Sequence, residues 1–270
     1  MSAPAAVLRR ALGKWDLSAI GINQVIGGAV FAMPATVAAN SGRWSPVLVV
    51  VVGAASLLIA ATFAEVGSRF DATGGPYLYA RAAFGRFIAF EVGWMLWFTR
   101  VASWATVVNI LVASLGFYWP ALTTGTHHTA VLAATIAALA VINILGIRQS
   151  AVAVNLLTIG KLLPLAIFIV VGLFFVEPAR LRPEGSLTVE QTSAAALFLI
   201  YAFGGYEVVP VVAGETKDPR GAVPFALVTT ILVVTAVLAL AQVVALSALI
   251  GGVVDTVAVQ GREMSRHSRG

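Results

Sequence analysis

Long apolar stretches, separated by short polar segments, recur along the whole chain. A membrane-spanning helix needs about 20 mostly apolar residues, and seven stretches reach or approach that length. They cover approximately residues 15–39, 46–66, 86–117, 129–145, 151–176, 192–213 and 223–252. The third and seventh stretches are long, which predicts tilt or an interfacial turn there. Because the apolar residues run continuously rather than alternating, the pattern predicts helices and not the strands of a barrel.

Composition places this pattern in a lipid environment. Hydrophobic residues make up 59% of the 270 positions and charged residues only 11%, whereas soluble domains carry about 25% charged residues. So few charges cannot cover a water-soluble protein of this size, which excludes soluble enzymes, nucleic-acid-binding proteins and disordered chains. The sequence contains no cysteine, which excludes disulfide frameworks, thiol catalysis and cysteine-based zinc sites. We therefore predict an all-α integral membrane protein.

The distribution of Lys and Arg predicts the orientation in the membrane. With the N-terminus inside, the inner segments hold nine of these residues and the loops on the outer side hold three, in agreement with the positive-inside rule. We expect a multi-pass protein of the cytoplasmic membrane, with residues 1–14 as a cytoplasmic segment and residues 15–252 as the transmembrane domain. Residues 253–270 form a polar, Arg-rich tail on the predicted outer side. Because this tail conflicts with the rule, we interpret it as a non-native end.

Two of the apolar stretches contain the same interruption. The first has a Gly-Gly pair at residues 27–28 followed by Pro34, and the sixth has a Gly-Gly pair at residues 204–205 followed by Pro210. The sixth span lies five positions after the first, an odd number, so the two helices run in opposite directions. Similar interrupted helices in opposite orientations are typical of inverted-repeat transporters with a binding site at the membrane midplane.

The chemistry of such a break favours an amino acid as ligand. Glycine weakens a helix and proline removes a backbone donor, so both interrupt the hydrogen-bond ladder. Unpaired backbone in hydrocarbon persists only where it lines a cavity or binds a polar group. Freed amides attract a carboxylate and freed carbonyls attract an ammonium group, and an amino acid carries both. The alternative is that the glycines only allow close helix packing, but their matching positions favour a site.

These motifs resemble those of the amino acid/polyamine/organocation (APC) permeases. The matching segments are residues 27–31 (Gly-Gly-Ala-Val-Phe) with Pro34, residues 73–79 (Thr-Gly-Gly-Pro-Tyr-Leu-Tyr) leading into residues 81–86, Lys161, residues 203–207 (Phe-Gly-Gly-Tyr-Glu) and residues 215–219. The resemblance covers about residues 14–252 and implies the LeuT-type inverted-repeat fold, with interrupted first and sixth helices. The family's first break usually reads Gly-small-Gly, whereas residues 27–29 of this chain read Gly-Gly-Ala.

The family typically has twelve helices, whereas this chain stops after the seventh predicted span. The resemblance therefore implies an incomplete fold, with a first repeat at residues 15–176 and a partial second repeat at residues 192–252. We expect a permease-like protein that is truncated, frame-shifted or a fragment.

The resemblance also implies which residues hold the substrate. The backbone of the first break would bind its carboxylate and ammonium groups, and the second break would complete the cradle. The first break comprises Val25, Ile26, Gly27, Gly28 and Ala29, and the second comprises Phe203, Gly204 and Gly205. Tyr201 occupies the position of a frequent aromatic gate in the family; the alternative is an ordinary packed aromatic.

Three charged residues accompany the breaks. At a rise of about 1.5 Å per residue, Lys161 and Arg100 lie near the middle of the bilayer, where charges are costly and usually functional. In sodium-coupled relatives a cation lies between helices one and five, and in proton-coupled relatives a lysine at this position fills that space. Because burial also makes a lysine easier to deprotonate, we predict proton coupling through Lys161; the alternative is a fixed tie to the first helix. Glu207 either titrates or caps freed amides. Arg100 either faces the substrate, which would disfavour cations, or pairs with Glu207 or Glu91.

We therefore predict a secondary active transporter that moves amino acids with protons by alternating access. The alternatives are a polyamine or organic cation exchanger, and a non-transporting or regulatory membrane protein. An intramembrane enzyme is disfavoured because no metalloprotease motif, serine-protease motif or pair of intramembrane aspartates is present in the sequence. A channel would need polar lining through the full depth. We expect no cofactor and no metal, since the adjacent His127 and His128 are isolated in a loop.

Overall fold

The computed structural model describes residues 10–144 and 147–267. Eight α-helices run through these residues, which contain no β-strand and one isolated bridge between Leu12 and Thr216. The helices are α1 (Lys14–Val25), α2 (Ala29–Ser41), α3 (Ser45–Gly67), α4 (Pro76–Gly116), α5 (Gly125–Ile144), α6 (Ile147–Leu173), α7 (Val189–Phe203) and α8 (Pro219–His267). Short 3-10 helices lie at Gly42–Trp44, Pro120–Thr123, Pro178–Leu181 and Tyr206–Glu215. The prediction of an all-α fold is confirmed.

Each predicted span corresponds to one helix or to two helix halves. The first is divided into α1, with 12 residues, and α2, with 13 residues. The sixth is divided into α7 and the 3-10 helix Tyr206–Glu215. Six segments of the described chain are long and apolar enough to cross a membrane, and α1 is too short to count as a span by itself. The predicted interruptions of the first and sixth helices are therefore confirmed, and the protein is a multi-pass membrane protein.

Two helix boundaries differ from the prediction. α4 begins at Pro76 rather than at residue 86, but its backbone leaves helical geometry at Gly85, where φ is 86°. A short first part is thereby set off from the membrane-length part, which begins at the predicted residue 86. α8 continues to His267, beyond the predicted end at residue 252. Residues 1–9 and 268–270, which belong to the predicted N-terminal segment and tail, lie outside the described residues.

The core lies where α8 crosses α1 and α3 and where α2 packs against α7. Its fully buried apolar side chains include those of Val37, Leu199, Phe203 and Leu238. α1 approaches α8 at Gly21, where a Cβ atom would lie 2.3 Å from Oγ1 of Thr230, and small residues commonly permit such contacts between membrane helices. By contrast, α5 has no buried residue, and its apolar surface suits a lipid environment. The broken helices therefore lie in the packed part of the molecule.

Candidate functional site at the two helix breaks

The first break separates α1 from α2 by three residues. Ile26 leaves helical geometry with ψ at 80°, and the amide of Gly27 donates to the carbonyl oxygen of Val25 at 2.7 Å. In a continuous helix that amide would meet the carbonyl of Asn23, four residues back. The turn at Gly27 therefore frees the Asn23 carbonyl for another partner. Helical bonding resumes when the amide of Val30 donates to the carbonyl oxygen of Gly27 at 3.3 Å.

Lys161 on α6 is the partner of that freed carbonyl. Its Nζ donates to the carbonyl oxygen of Asn23 at 2.6 Å. One turn earlier on α6, Oγ1 of Thr158 donates to Oδ1 of Asn23 at 3.1 Å. Two side chains of α6 thus hold the main chain and the side chain of one residue at the end of α1. Both interpretations of Lys161, a proton-coupling residue and a fixed tie, include this contact.

The second break has a different backbone. α7 ends at Phe203, Gly204 is extended with φ −64° and ψ 148°, and Gly205 adopts φ 126°, which L-residues rarely adopt. The chain then continues with 3-10 winding over Tyr206–Glu215, which is interrupted at Val212, where φ −93° and ψ 16° leave helical geometry. The sequence predicts only an interrupted span here, and the 3-10 winding of its second half is an additional finding.

The two breaks are in direct contact. A Cβ atom on Gly205 would lie 3.1 Å from the carbonyl oxygen of Gln24 and 3.2 Å from the backbone nitrogen of Val25. The main chain of the second break therefore packs against the last turn of α1 with no space for a side chain. Across the first break, a Cβ atom on Gly28 would lie 3.4 Å from Val107 on α4. The predicted elements therefore meet at one place, with α4 and α6 beside them.

Glu207 accepts a hydrogen bond from the backbone of the second break and also pairs with Arg100. Its Oε2 accepts a hydrogen bond from the amide of Gly205 at 2.8 Å, and its Oε1 accepts one from Nη2 of Arg100 on α4 at 2.9 Å. Both carboxylate oxygens are thus engaged, one by the freed backbone and one by a cation. Of the two carboxylates predicted as partners of Arg100, Glu207 forms the ion pair with it.

Three cavities surround this centre. One of 330 Å³ lies between α2, α4 and α7 and is lined by Met33, Thr36 and Tyr201 among others. A second of 440 Å³ lies between α4 and α5 and includes Arg100 with two tryptophans, Trp97 and Trp104. A third of 370 Å³ contains Glu207 and Glu91. Volumes of about 300–1,000 Å³ are typical of small-molecule sites. Tyr201 therefore lines a cavity, and the Arg100–Glu207 pair lies between two others.

Several residues at this centre were not singled out from the sequence. Asn23 and Thr158 contact each other and support Lys161. A polar amide about one helical turn before a Gly-Gly pair, and a hydroxyl one helical turn before a membrane lysine, are the signals that could have identified them. No group of three or more His, Cys, Asp or Glu residues that could hold a metal ion occurs in the part of the chain that the structure describes.

Comparison with known proteins identifies the type of molecule. A family model described as amino acid permease matches residues 12–259. A branched-chain amino acid permease from Bacillus subtilis is 30% identical over 244 residues, which cover 84% of this chain and 52% of the relative. An uncharacterized transporter from Mycobacterium tuberculosis is 32% identical over 247 residues, 90% of this chain and 54% of the relative. An arginine/agmatine antiporter from Chlamydia felis is 28% identical over 230 residues, which cover 78% of this chain and 47% of the relative. The chain spans about half the length of these relatives.

Proposed function

The chain belongs to the amino acid permease family of the APC superfamily, whose members are transporters rather than enzymes, and we propose that it carries the substrate site of a secondary active amino acid transporter. The observation that carries this proposal is the direct contact between the two breaks, at Gly205 and the Gln24–Val25 backbone. Two interrupted helices that meet within a membrane bundle provide main-chain groups of both polarities at one place. Alternating access would expose this place to one side of the cytoplasmic membrane at a time.

The two breaks provide complementary groups for a zwitterion. The start of α2 offers backbone amides and the positive end of a helix dipole, which suit a carboxylate. The amides of Ile26 and Gly27 already donate to the carbonyl oxygens of Ile22 and Val25, so we assign the carboxylate to the amides of Gly28 and Ala29. The segment Val25, Ile26, Gly27, Gly28 and Ala29 as a whole forms this side of the cradle for the carboxylate and ammonium groups. The end of α7 offers carbonyl groups, which suit an ammonium ion, and we assign this role to Phe203, Gly204 and Gly205. Tyr201 lines the adjoining 330 Å³ cavity, a position from which it can cover a bound substrate.

Proton coupling is assigned to Lys161, with Glu207 as a second titrating candidate. The ammonium of Lys161 ties α6 to the carbonyl freed by the first break. Loss of its proton removes the charge from this bond and weakens the connection between α6 and α1. Protonation of Lys161 can thereby change the geometry of the adjacent substrate cradle that the two breaks form. Glu207 is less suited to this role, because both of its carboxylate oxygens are already engaged, one by Arg100 and one by the Gly205 amide.

The charges support a neutral amino acid over a cationic one. Glu207 is already paired with Arg100, so no carboxylate of this pair is left over for a cationic side chain. The Arg100 guanidinium also lines a cavity whose other walls are mostly apolar and aromatic. Among relatives, one is named a branched-chain amino acid permease and another an arginine/agmatine antiporter. We therefore place branched-chain amino acids first and polyamines or other organic cations second.

We further propose that the N-terminus lies in the cytoplasm, because the Lys and Arg distribution favours that side. Residues 15–176 would then form the first repeat and residues 192–252 part of the second, inverted repeat. Residues 1–14 and 253–270 would flank this transmembrane domain.

Counterflow in proteoliposomes tests the proposed function. Vesicles are loaded with one unlabelled compound each, leucine, glutamate, arginine or methylthioribose, and uptake of the same labelled compound is measured in parallel. We expect leucine exchange above that of protein-free vesicles, increasing with an inward proton gradient. Exchange of arginine alone would support the cation exchanger, and leucine binding without exchange would support a non-transporting protein.

A further inference from the structure

A buried glutamine on α8 joins three helices outside the cradle itself. Gln242 is fully buried. Its Nε2 donates to the carbonyl oxygen of Pro34 in α2 at 3.1 Å and to Oγ of Ser45, the first residue of α3, at 3.0 Å. Both hydrogens of the side-chain amide therefore have acceptors, one in each of two neighbouring helices.

The other end of the same amide is left without a donor. Within the described residues, Oε1 of Gln242 is buried and has no hydrogen-bond partner. Exchanging the oxygen and nitrogen positions would not improve this, because Oε1 would then face the carbonyl oxygen of Pro34, which is also an acceptor. The Pro34 carbonyl thus fixes the orientation of the amide. A buried carbonyl without a donor lowers stability, so an apolar side chain of the same length would suit the fold better at this position.

The helix that Gln242 holds lines a cavity on its opposite face. Pro34 and Val37 are buried towards the core, whereas Ala32 and Thr36 line the 330 Å³ cavity that also contains Tyr201. α2 has only 13 residues and begins at the first break, and isolated helices of this length are marginal without tertiary contacts. Contacts on its buried face therefore determine how its first amides and its cavity-lining face are oriented.

We propose that Gln242 is a positioning residue that sets the orientation of α2 at the substrate site, at a cost in stability. Its bond to Pro34 holds the helix, and its bond to Ser45 adds the start of α3 to the same unit. This inference rests on the proposed function in that it concerns the same site. It predicts that removing both bonds of Gln242 weakens substrate binding, whereas removing only the bond to Ser45 lowers stability and leaves substrate affinity close to that of the wild type.

Two variants separate these bonds. Gln242→Met keeps an unbranched side chain of similar length and removes both bonds together with the unpartnered oxygen. Ser45→Ala keeps the bond to Pro34 and leaves one buried amide hydrogen without an acceptor. The thermal unfolding temperature is measured for each variant in lipid nanodiscs, and the half-saturation concentration and maximal rate of labelled leucine counterflow are measured in proteoliposomes.

Gln242→Met leaves Oγ of the buried Ser45 without its Gln242 partner, so stability is judged from the double variant Gln242→Met, Ser45→Ala, which we expect to unfold at the wild-type temperature or above. In both variants that lack Gln242, we expect the half-saturation concentration for leucine to rise by about three- to tenfold, the equivalent of one hydrogen bond. Ser45→Ala should unfold at a lower temperature with a half-saturation concentration close to that of the wild type. A fall in unfolding temperature for the double variant with unchanged leucine affinity would overturn the inference, because it would make Gln242 a purely stabilising residue.

A measurement without substrate keeps this test separate from the proposed function. The chain contains no cysteine, so Thr36→Cys on the cavity-lining face of α2 accepts a single nitroxide spin label. We expect Gln242→Met to increase the mobility of this label and Ser45→Ala to leave it close to the wild-type value. Unchanged mobility in Gln242→Met would overturn the positioning role, whereas absence of leucine exchange by the wild type would count only against the proposed function.

Discussion

The two helix breaks meet each other, but different kinds of contact hold them. At the first break, the freed Asn23 carbonyl is held by Lys161, which belongs to a separate helix. At the second break, the freed Gly205 amide is held by Glu207, only two residues further along the same segment. The first break is thus secured from outside and the second largely from within. A change in the Lys161 contact can alter the relation between helices, whereas Glu207 mainly maintains the local shape of its own segment.

The helix halves that follow the breaks are also held by different kinds of contact. α2 is an α-helix that packs against α7 and accepts a hydrogen bond from a side chain of α8. The 3-10 helix Tyr206–Glu215 instead contacts neighbouring backbone: the amide of Gly74 donates to the carbonyl oxygen of Val211 at 3.1 Å, and the amide of Leu12 donates to that of Glu215 at 3.0 Å. The first of these halves is thus held by side chains and the second by main-chain hydrogen bonds.

The largest effect is expected from Gly205→Ala, which affects the place where both breaks meet. The residue has φ 126°, and a Cβ atom would lie 3.1 Å from the Gln24 carbonyl oxygen. Backbone strain of this kind costs about 1–3 kcal/mol. The added Cβ atom also lies too close to the Gln24 carbonyl oxygen, so the two breaks must move relative to each other. We expect leucine counterflow to fall to the level of protein-free vesicles.

Gly160→Ala is the matched control, because a Cβ atom there meets nothing within 4 Å. It should exchange leucine as the wild type does. Wild-type exchange by Gly205→Ala would show that contact between the breaks is not needed for transport.

The next effect is expected from Lys161→Ala, which removes the external contact of the first break. Leucine exchange should lose its dependence on the proton gradient, measured as the ratio of uptake with and without an inward gradient. Thr158→Val removes only the neighbouring hydroxyl, a loss of about 0.5–1.5 kcal/mol, and should retain a gradient dependence. If Lys161→Ala keeps the normal proton dependence, Lys161 is a fixed tie and coupling lies elsewhere.

An intermediate effect is expected at the Arg100–Glu207 pair, which holds the second break. Arg100→Met leaves Glu207 without its cation, so uptake of arginine should rise relative to leucine. The double variant Arg100→Met, Glu207→Gln removes both charges and should restore part of the original preference, with a coupling of about 0.5–3 kcal/mol in the mutant cycle. The ratio of initial uptake rates measures this effect. Additive effects of the two substitutions would contradict a functional pair.

The smallest effect is expected from Gly214→Ala, at the far end of the 3-10 helix. A Cβ atom there would lie 2.4 Å from Oγ1 of Thr73 and 3.0 Å from its backbone nitrogen. We expect faster hydrogen exchange of the Gly74 amide and a modest fall in unfolding temperature. Gly13→Ala, whose Cβ would meet only Asp16 Oδ2 at 3.5 Å, serves as control. Equal Gly74 exchange in Gly214→Ala and wild type would show that this contact does not maintain the segment.

The sequence was sufficient to place the breaks, and the structure was needed to identify what holds them. Glycine pairs followed by proline are local signals, so the interruptions after Val25 and Phe203 could be predicted. Arg100 pairs with Glu207 because α4 packs against a segment more than a hundred residues away in the sequence. Sequence alone could not distinguish this partner from Glu91. The 3-10 winding after Gly205 was equally inaccessible, because Gly-Gly followed by proline predicts an interruption but not the winding of the segment after it.

The buried amide of Gln242 illustrates a further limit. In sequence it is one polar residue within a long apolar helix, and a side chain facing solvent or lipid headgroups would give the same pattern. Only the packing of α8 against α2 and α3 shows that it is fully buried and bonded to Pro34 and Ser45.

The most direct test of a single site formed by both breaks is an NMR titration of the protein labelled with 15N-glycine in lipid nanodiscs. The amide signals of Gly27 and Gly28 report on the first break, and those of Gly204 and Gly205 report on the second. On addition of leucine we expect signals from both pairs to shift with one common half-saturation concentration, while the Gly160 signal stays unchanged. Shifts confined to one pair, or saturation at two different concentrations, would contradict a site shared by the two breaks.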